Sequence, residues 1–317
     1  MYMNPELTEF EVYDPDVTTY NSKEKKMENK FTLYHTDLRY KKHRKVDIDR
    51  IVKYNPHLKF LKDKCHDSME YRIDESKKDN NETIDLSHMD INEIPSNISD
   101  KIKYLFLSNN DFVMIDSLLK FSNLRVLDIC NNKLTELPNL PHTIEEITCR
   151  SNYIENIDVL GDLPNLRRLD ISYNNLTEVP YIPNLNILLC YNNNINNVQS
   201  MPNLKRLGIM YNKMKHIEQF DNLVELECDH NEIRKISNLP RLTTLYINNN
   251  KLEELGELPN LKTLEIKKNI ISKIPYYKTL EILIGDHKRI QQLSTKYSIS
   301  AIDVFKDDIV TIIFKNT

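Results

Sequence analysis

A short pattern of apolar residues and one asparagine recurs between residues 81 and 293, and it constrains the fold more than any other feature of the chain. Each unit has three apolar anchors spaced L-x-x-L-x-L, two free positions, an asparagine, one free position and a fourth apolar anchor. Nine units keep the asparagine and all four anchors, and the last six asparagines follow one another at intervals of 19 residues. A fixed period of this length indicates a solenoid, in which each unit packs against its two neighbours.

The alternation within the pattern predicts a short strand with one buried face, because L-x-L places every second side chain on the same side. Neighbouring units then stack these strands into a parallel sheet, with about 4.8 Å between strands. The asparagine follows where the chain turns away, and its amide can pair with backbone groups that would otherwise be buried without a partner. We therefore predict a structural ladder made of Asn110, Asn132, Asn152, Asn174, Asn193, Asn212, Asn231, Asn250 and Asn269.

The pattern resembles that of the leucine-rich repeat family, and the resemblance covers about two thirds of the chain. The L-P-x-L-P sequence of residues 137–141 is similar to the short repeats of bacterial effector proteins. The resemblance implies a repeat solenoid of the α/β class: a right-handed horseshoe with a parallel β-sheet on its concave face. About eleven repeats are expected between residues 81 and 293, counting a weaker unit at each end. Degenerate end units are expected, because terminal repeats act as caps.

The convex side is expected to be mostly extended or 3-10 helical. A 19-residue unit leaves about eight residues for the return, and these returns contain prolines such as Pro180 and Pro202. Proline disrupts the interior of a helix and biases the residue before it to extended geometry. The longer unit that follows Asn110 has room for a helical turn, which we predict at residues 116–121.

The two flanking segments lack the repeat. Residues 1–80 form an N-terminal segment, of which the charged residues 1–30 are expected to be flexible and residues 46–66 to form a helical cap broken at Pro56. A docking module for another protein is the alternative for this segment. The basic run at residues 39–45 fits a solvated charged face, with nucleic-acid contact or an import signal as alternatives. Residues 294–317 are rich in β-branched residues and are predicted to form a β-rich C-terminal cap over the sheet edge.

Composition argues against several classes of function. A net charge of −4 and a pI near 6.2 give no reason to expect nucleic-acid or membrane partners. The chain begins without a signal-peptide pattern and has no apolar run long enough to span a bilayer. Cys149, Cys190 and Cys228 stand at anchor positions, outside any disulfide framework, which favours a reducing, cytoplasmic location. The high asparagine, lysine and isoleucine content is typical of AT-rich genomes, such as those of giant viruses.

The sequence gives no sign of catalysis or of a cofactor. None of the H-E-x-x-H, G-x-S-x-G, P-loop or paired C-x-x-C motifs occurs. Cys228, Asp229 and His230 are adjacent, but strand alternation turns Cys228 inward and Asp229 outward, so these side chains cannot converge. We predict that the protein is not an enzyme and that it binds neither a metal nor a cofactor.

The free positions of the strands point to a binding surface on the concave face. Exposed aromatic residues grouped with arginines are typical of interface hot spots. The candidate partner-binding residues are Arg150, Arg168, Tyr173, Leu189, Tyr191, Arg206, Met210, Tyr211, Glu227, Asp229 and Tyr246. Changing Tyr191 and Tyr211 to serine or alanine is expected to leave folding intact and to weaken partner capture. The alternative is that the tyrosines only cover neighbouring side chains, because the chain contains 17 of them.

These observations predict a monomeric scaffold that binds a partner protein on its concave face and performs no chemistry. The prediction includes no nucleic acid and no membrane among the partners. One alternative is an adaptor whose N-terminal segment recruits an enzyme, such as a ubiquitin ligase, to a target held by the repeats. Another is a nucleic-acid binder, which the net charge disfavours.

Overall fold

The computed structural model describes residues 69–78, 81–286, 299–304 and 309–314. The chain divides into two compact units, Met1–Tyr71 and Arg72–Thr317. The described residues of the first unit are the start of one α-helix, α1 (Met69–Ser76). The flexible segment, the helical cap and the basic run predicted for residues 1–30, 46–66 and 39–45 lie outside the described residues.

The second unit is a solenoid whose strands form one long sheet. Among the described residues the sheet has thirteen strands, and eleven of them run parallel in chain order. The parallel strands are β1 (Thr83–Asp85), β2 (Tyr104–Phe106), β3 (Val126–Asp128), β4 (Glu146–Thr148), β5 (Arg168–Asp170), β6 (Ile187–Leu189), β7 (Arg206–Gly208), β9 (Glu225–Glu227), β11 (Thr244–Tyr246), β13 (Thr263–Glu265) and β14 (Ile282–Asp286). This arrangement confirms the predicted fold class, with the parallel sheet on the concave face.

The apolar anchors set the register of the sheet. Leu169 of β5 lies opposite Leu188 of β6, which lies opposite Leu207 of β7, and all three side chains are fully buried. Burial of a leucine side chain contributes about 1.5–3 kcal/mol. A slip of one residue would turn this whole column outward, so the anchors also specify which side chains face the concave side.

The convex side is extended, as predicted. A second, three-stranded parallel sheet contains β8 (His216–Ile217), β10 (Lys235–Ile236) and β12 (Glu254–Leu255). A 3-10 helix covers Asp158–Asp162. The helical turn predicted at residues 116–121 is wrong: residues 116–118 are irregular, and residues 119–120 form a turn that is not helical. The backbone N–H of Leu118 donates to the carbonyl of Asn139 in the next repeat at 2.9 Å, and the N–H of Phe121 donates to Leu118 O at 3.0 Å, which closes a single turn without a helix.

The N-terminal edge of the sheet is met by an arginine of α1. The backbone N–H of Leu86 donates to the carbonyl of Phe106, at the end of β2. Backbone groups alternate in direction along a strand, so the carbonyls of Asp85 and Ser87 point away from β2. The guanidinium of Arg72 donates to Asp85 O at 2.8 Å and to Ser87 O at 3.5 Å. The guanidinium thus supplies the donors that a preceding strand would otherwise offer.

At the other end, two antiparallel strands extend the sheet: β15 (Ile299–Val304) and β16 (Ile309–Phe314). β16 pairs with β14 and with β15. Val310, Ile312 and Phe314 are buried, so one face of β16 packs inward. We propose that these strands close the repeat core at this end.

Candidate interaction surface on the concave face

The ladder asparagines hold the turn that follows each strand. The side-chain amide of Asn193 donates to the carbonyls of Ile171, Cys190 and Tyr191 at 3.1 to 3.2 Å, and its Oδ1 accepts the N–H of Leu176 at 3.0 Å. All nine asparagines are buried, and each donates to the carbonyl of an anchor in the preceding repeat. The turn is therefore bonded both to its own repeat and to the one before it.

The residue before each ladder asparagine has a left-handed backbone, with φ between 50° and 59°. Asparagine tolerates this conformation and occupies the position at Asn192 and Asn249. Tyr173 and Tyr211 occupy it in two other repeats, although a bulky residue there costs about 1–2 kcal/mol. Both tyrosines lie beyond the end of their three-residue strands, on the rim of the concave face, and are 42% and 49% exposed.

Tyr191 lies across Gly208 in the middle of the concave face. A Cβ on Gly208 would clash with the hydroxyl oxygen of Tyr191, so the tyrosine fills the space that the glycine leaves. The Tyr191 hydroxyl donates to Glu227 Oε2 at 2.8 Å, and Arg206 donates to Glu227 Oε1 at 2.6 Å through Nη2. Burial and the charge of Glu227 raise the pKa of Tyr191 well above its usual range. Tyr191 therefore belongs to a bonded network, so its substitution is expected to affect folding, contrary to the prediction from the sequence.

Replacing Gly208 with alanine should lower the free energy of unfolding by about 1 kcal/mol, because the ring of Tyr191 must move and its hydrogen bond to Glu227 is lost. None of the described glycines has a positive φ, so alanine is compatible with the backbone. In a Tyr191→Ala background the same change should be neutral or should stabilise by about 0.4–1 kcal/mol. Urea unfolding of the four proteins of this double-mutant cycle measures the coupling. Additive effects of the two substitutions would contradict the packing described.

Two arginines on the N-terminal side of this network pair one for one with carboxylates. The Arg150 guanidinium lies over the ring of Tyr173, 5.5 Å from its centroid, and Arg150 Nε is 3.8 Å from Asp170 Oδ2. Arg168 Nε is 3.0 Å from Glu146 Oε1. Burial raises the pKa of Asp170, and the charge of Arg150 opposes this shift. This part of the face presents a tyrosine held by a cation, with no surplus of either charge among these pairs.

The other predicted residues differ in accessibility. Leu189 is only 9% exposed, whereas Met210 and Tyr246 are half-buried on the same face. Tyr211 stacks on His230 with 4.1 Å between ring centroids and an interplanar angle of 11°. The surface that a partner can contact is therefore formed mainly by the rim tyrosines and by the polar side chains between them.

Asp229 connects two repeats. Its Oδ1 accepts the backbone N–H of Asn248 at 2.6 Å, and its Oδ2 accepts the Asn248 amide at 3.1 Å. Asn248 in turn accepts the N–H of Lys267 at 2.8 Å. Ser172 makes the same link to the N–H of Tyr191 at 3.2 Å. Sequence reasoning missed this side-chain relay, which continues the pairing of neighbouring repeats past the ends of the strands.

A second set of asparagines forms an exposed ladder on the return side. Each amide donates to a carbonyl in the preceding repeat, for example from Asn203 to Pro183 O at 2.9 Å. The set comprises Asn165, Asn184, Asn203, Asn222 and Asn260. Sequence reasoning also missed this ladder, although the triplet P-N-L precedes four of the strands, β5, β6, β7 and β13, in the same register as the leucines.

Within residues 69–78, 81–286, 299–304 and 309–314, no group of three or more histidine, cysteine or acidic side chains could hold a metal ion. In the same ranges, no helix has the length and apolar character needed to cross a membrane.

Comparisons with known proteins agree with this architecture. The family described as "Leucine Rich repeats (2 copies)" matches residues 100–142, 221–260 and 240–279, and "Leucine Rich Repeat" matches residues 165–185. Oligodendrocyte-myelin glycoprotein from Homo sapiens is 35% identical over 74 residues, which is 23% of this chain and 17% of that protein. This chain thus spans less than one fifth of that relative.

Similar solved structures share the fold. YopM from Yersinia enterocolitica WA-314 superposes with a TM-score of 0.56 at 19% identity, over 75% of this chain and 64% of that chain. YopM from Yersinia pestis, described as a leucine-rich effector protein, gives a TM-score of 0.52 at 21% identity, over 68% and 80%. The leucine-rich repeat domain of APL1B gives 0.50 at 16%, over 80% and 97%. By its repeat pattern and its fold, the chain is similar to leucine-rich repeat proteins, and the family matches cover less than half of it.

Proposed function

We propose that the protein is an interaction scaffold that binds a partner protein on the concave face of its repeats. Repeat solenoids of this family typically act through extended concave surfaces, and the family is generally non-catalytic. A fold alone does not define a function, so the residues on the concave face of this chain decide what it binds. We place the protein in the cytoplasm as a monomer, in keeping with cysteines that lie buried in the repeats.

The observation that carries the proposal is the retention of Tyr173 and Tyr211 at strained backbone positions. Asparagine fills the same position in other repeats without that cost, so folding alone does not favour tyrosine there. Both rings are exposed on the rim of one face, and Arg150 and His230 hold them in place. Rigid, exposed aromatic side chains are the usual anchors of protein interfaces.

Changing Tyr173 and Tyr211 to asparagine tests the proposal. The substitution introduces the residue that the chain itself uses at Asn192 and Asn249, so the free energy of unfolding should stay equal or rise. Partner capture, measured by pull-down and mass spectrometry with quantified recovery, should fall at least about tenfold, as for the loss of interface hot spots.

The matched control changes Tyr181 and Tyr276 to asparagine. These tyrosines are exposed to similar extents, 45% and 42%, and each follows a proline on the return side of its repeat. The control should capture the same partners as the parent protein. If both double variants lose capture equally, or if the rim variant captures as well as the parent, the concave face is not the binding surface.

A further inference from the structure

An acidic and aromatic surface lies between β6 and β13 on the concave face. Glu227 of β9 lies opposite Gly208 of β7 and Tyr246 of β11, and Tyr246 lies opposite Glu265 of β13. The ring of Tyr191 fills the space over Gly208 and reaches Glu227. We use the name acidic–aromatic surface for Tyr191, Glu225, Glu227, Tyr246 and Glu265.

Carboxylates outnumber cations on this part of the face. The positions counted are the concave-facing residues of β7, β9, β11 and β13 and the residue that follows the third anchor of each of these repeats. Together they carry four carboxylates and two cations. The carboxylates are Glu225, Glu227, Asp229 and Glu265, and the cations are Arg206 and Lys267. The surplus is local, because Arg150 and Arg168 match their carboxylates one for one on β4 and β5.

Among the carboxylates of the acidic–aromatic surface, Glu225 is the one whose negative charge is least compensated by these cations. Arg206 lies 2.6 Å from Glu227 but 3.5 Å from Glu225, so one guanidinium serves two carboxylates unequally. Lys267 is 3.1 Å from Glu265, and Asp229 is bonded to the neutral amide of Asn248. Burial and the neighbouring Glu227 raise the pKa of Glu225, while Arg206 opposes them. An additional cation near Glu225 would relieve this repulsion.

The tyrosines make the surface more suitable for a guanidinium than for a simple cation. Tyr246 is half-buried between Glu227 and Glu265, and burial together with Glu265, Glu225 and Glu227 raises its pKa. The face of a tyrosine ring attracts cations, and arginine stacks on such rings while its planar fork pairs with carboxylates. A lysine ammonium offers the charge without the stacking plane or the fork.

We propose that the acidic–aromatic surface binds an arginine-containing basic segment of the partner protein. The proposal rests on the proposed function and adds the chemistry of the partner. An arginine of that segment pairs with Glu225 and stacks against Tyr246, and further basic residues follow the strands toward Glu265. A nucleic acid is disfavoured as a ligand of this surface, because its phosphates would be repelled by the carboxylates.

The test uses the full-length protein and a fluorescent oligoarginine peptide, with fluorescence anisotropy as the readout. The Glu225→Gln/Glu265→Gln variant should bind the peptide about fivefold more weakly than the parent, because two ion pairs to the peptide are lost. The matched Glu178→Gln/Glu257→Gln variant removes two exposed carboxylates outside the concave strands and should change binding less than about twofold. A citrulline peptide of the same length should not bind, and oligolysine should bind more weakly than oligoarginine.

In the peptide assay, this proposal would be overturned by no binding of oligoarginine, by equal weakening in both glutamine variants, or by equal binding of oligolysine and oligoarginine. Circular dichroism of each variant checks that the fold is kept. The basic-segment proposal can fail while the proposed scaffold function stands. If the tyrosine rim variant loses its partner while Glu225→Gln/Glu265→Gln captures it fully, the scaffold function stands and the basic segment is wrong.

Discussion

Replacing Asn193 with alanine should lower the free energy of unfolding by about 3 kcal/mol, the upper part of the range for a buried polar group left without its partner. The substitution removes the donations to the carbonyls of Ile171, Cys190 and Tyr191 and the acceptor for the N–H of Leu176. Water cannot replace these bonds, because the position is only 8% exposed. Urea unfolding followed by far-ultraviolet circular dichroism measures the change.

Asn203→Ala is the matched control for this prediction. Asn203 belongs to the exposed ladder, where its amide donates to Pro183 O at 2.9 Å, and water can replace that bond. Its loss should cost about 0.5–1 kcal/mol, well below the cost at Asn193. Equal costs at the two asparagines would contradict the structural role of the buried ladder.

Gly256→Ala should also destabilise the protein by about 3 kcal/mol, the upper part of the range for overpacking. A Cβ at Gly256 would lie 2.8 Å from the carbonyl carbon and oxygen of Ser237, which are backbone atoms of the preceding repeat. Relief requires the two repeats to separate, which strains the bond from Gly256 N to Ile236 O and the bond from the Tyr277 hydroxyl to Gly256 O, both 3.0 Å. Thermal unfolding measures this change.

Gly161→Ala is the control for the second prediction, because the atom nearest to its added Cβ is Tyr181 O at 3.7 Å, an ordinary contact. It should be neutral or should stabilise the protein by up to about 1 kcal/mol, through a smaller entropy of the unfolded chain. Gly208 lies between these cases, because the obstacle there is a side chain that can move. A cost at Gly256 no larger than that at Gly208 would mean that the repeats separate more easily than the distances indicate.

The repeat period and the strands could be predicted because the determinants are local. Leu166, Leu169 and Ile171 lie within one short stretch, and their alternation alone defines a strand with one buried face. Extended returns follow in the same way from prolines such as Pro180. The helical turn at residues 116–121 failed because available length was the only argument for it, while the backbone of Leu118 found its partner in another repeat.

The details of the concave face depend on neighbours that lie about one repeat away. Tyr191 folds over Gly208, and no pattern within either repeat indicates that the glycine makes room for it. Continued alternation from Leu169 and Ile171 would turn Tyr173 inward, but the strand ends at Asp170, and the left-handed turn leaves the ring exposed at the rim. Residue types at the face are therefore readable from the sequence, whereas their accessibility requires the relative placement of two or three repeats.

The buried ladder has a direction along the chain. The side chain of Asn193 bonds to residues with lower numbers, and so does that of Asn132, which bonds to Leu107, Phe112, Ile129 and Cys130. The first repeat carries Met89 in place of an asparagine, and the backbone N–H of Met89 donates to the side chain of Asn110 in the next repeat. During synthesis from the amino terminus, each repeat can thus form its ladder hydrogen bonds to the repeat before it, and these bonds need no residue that is still inside the ribosome.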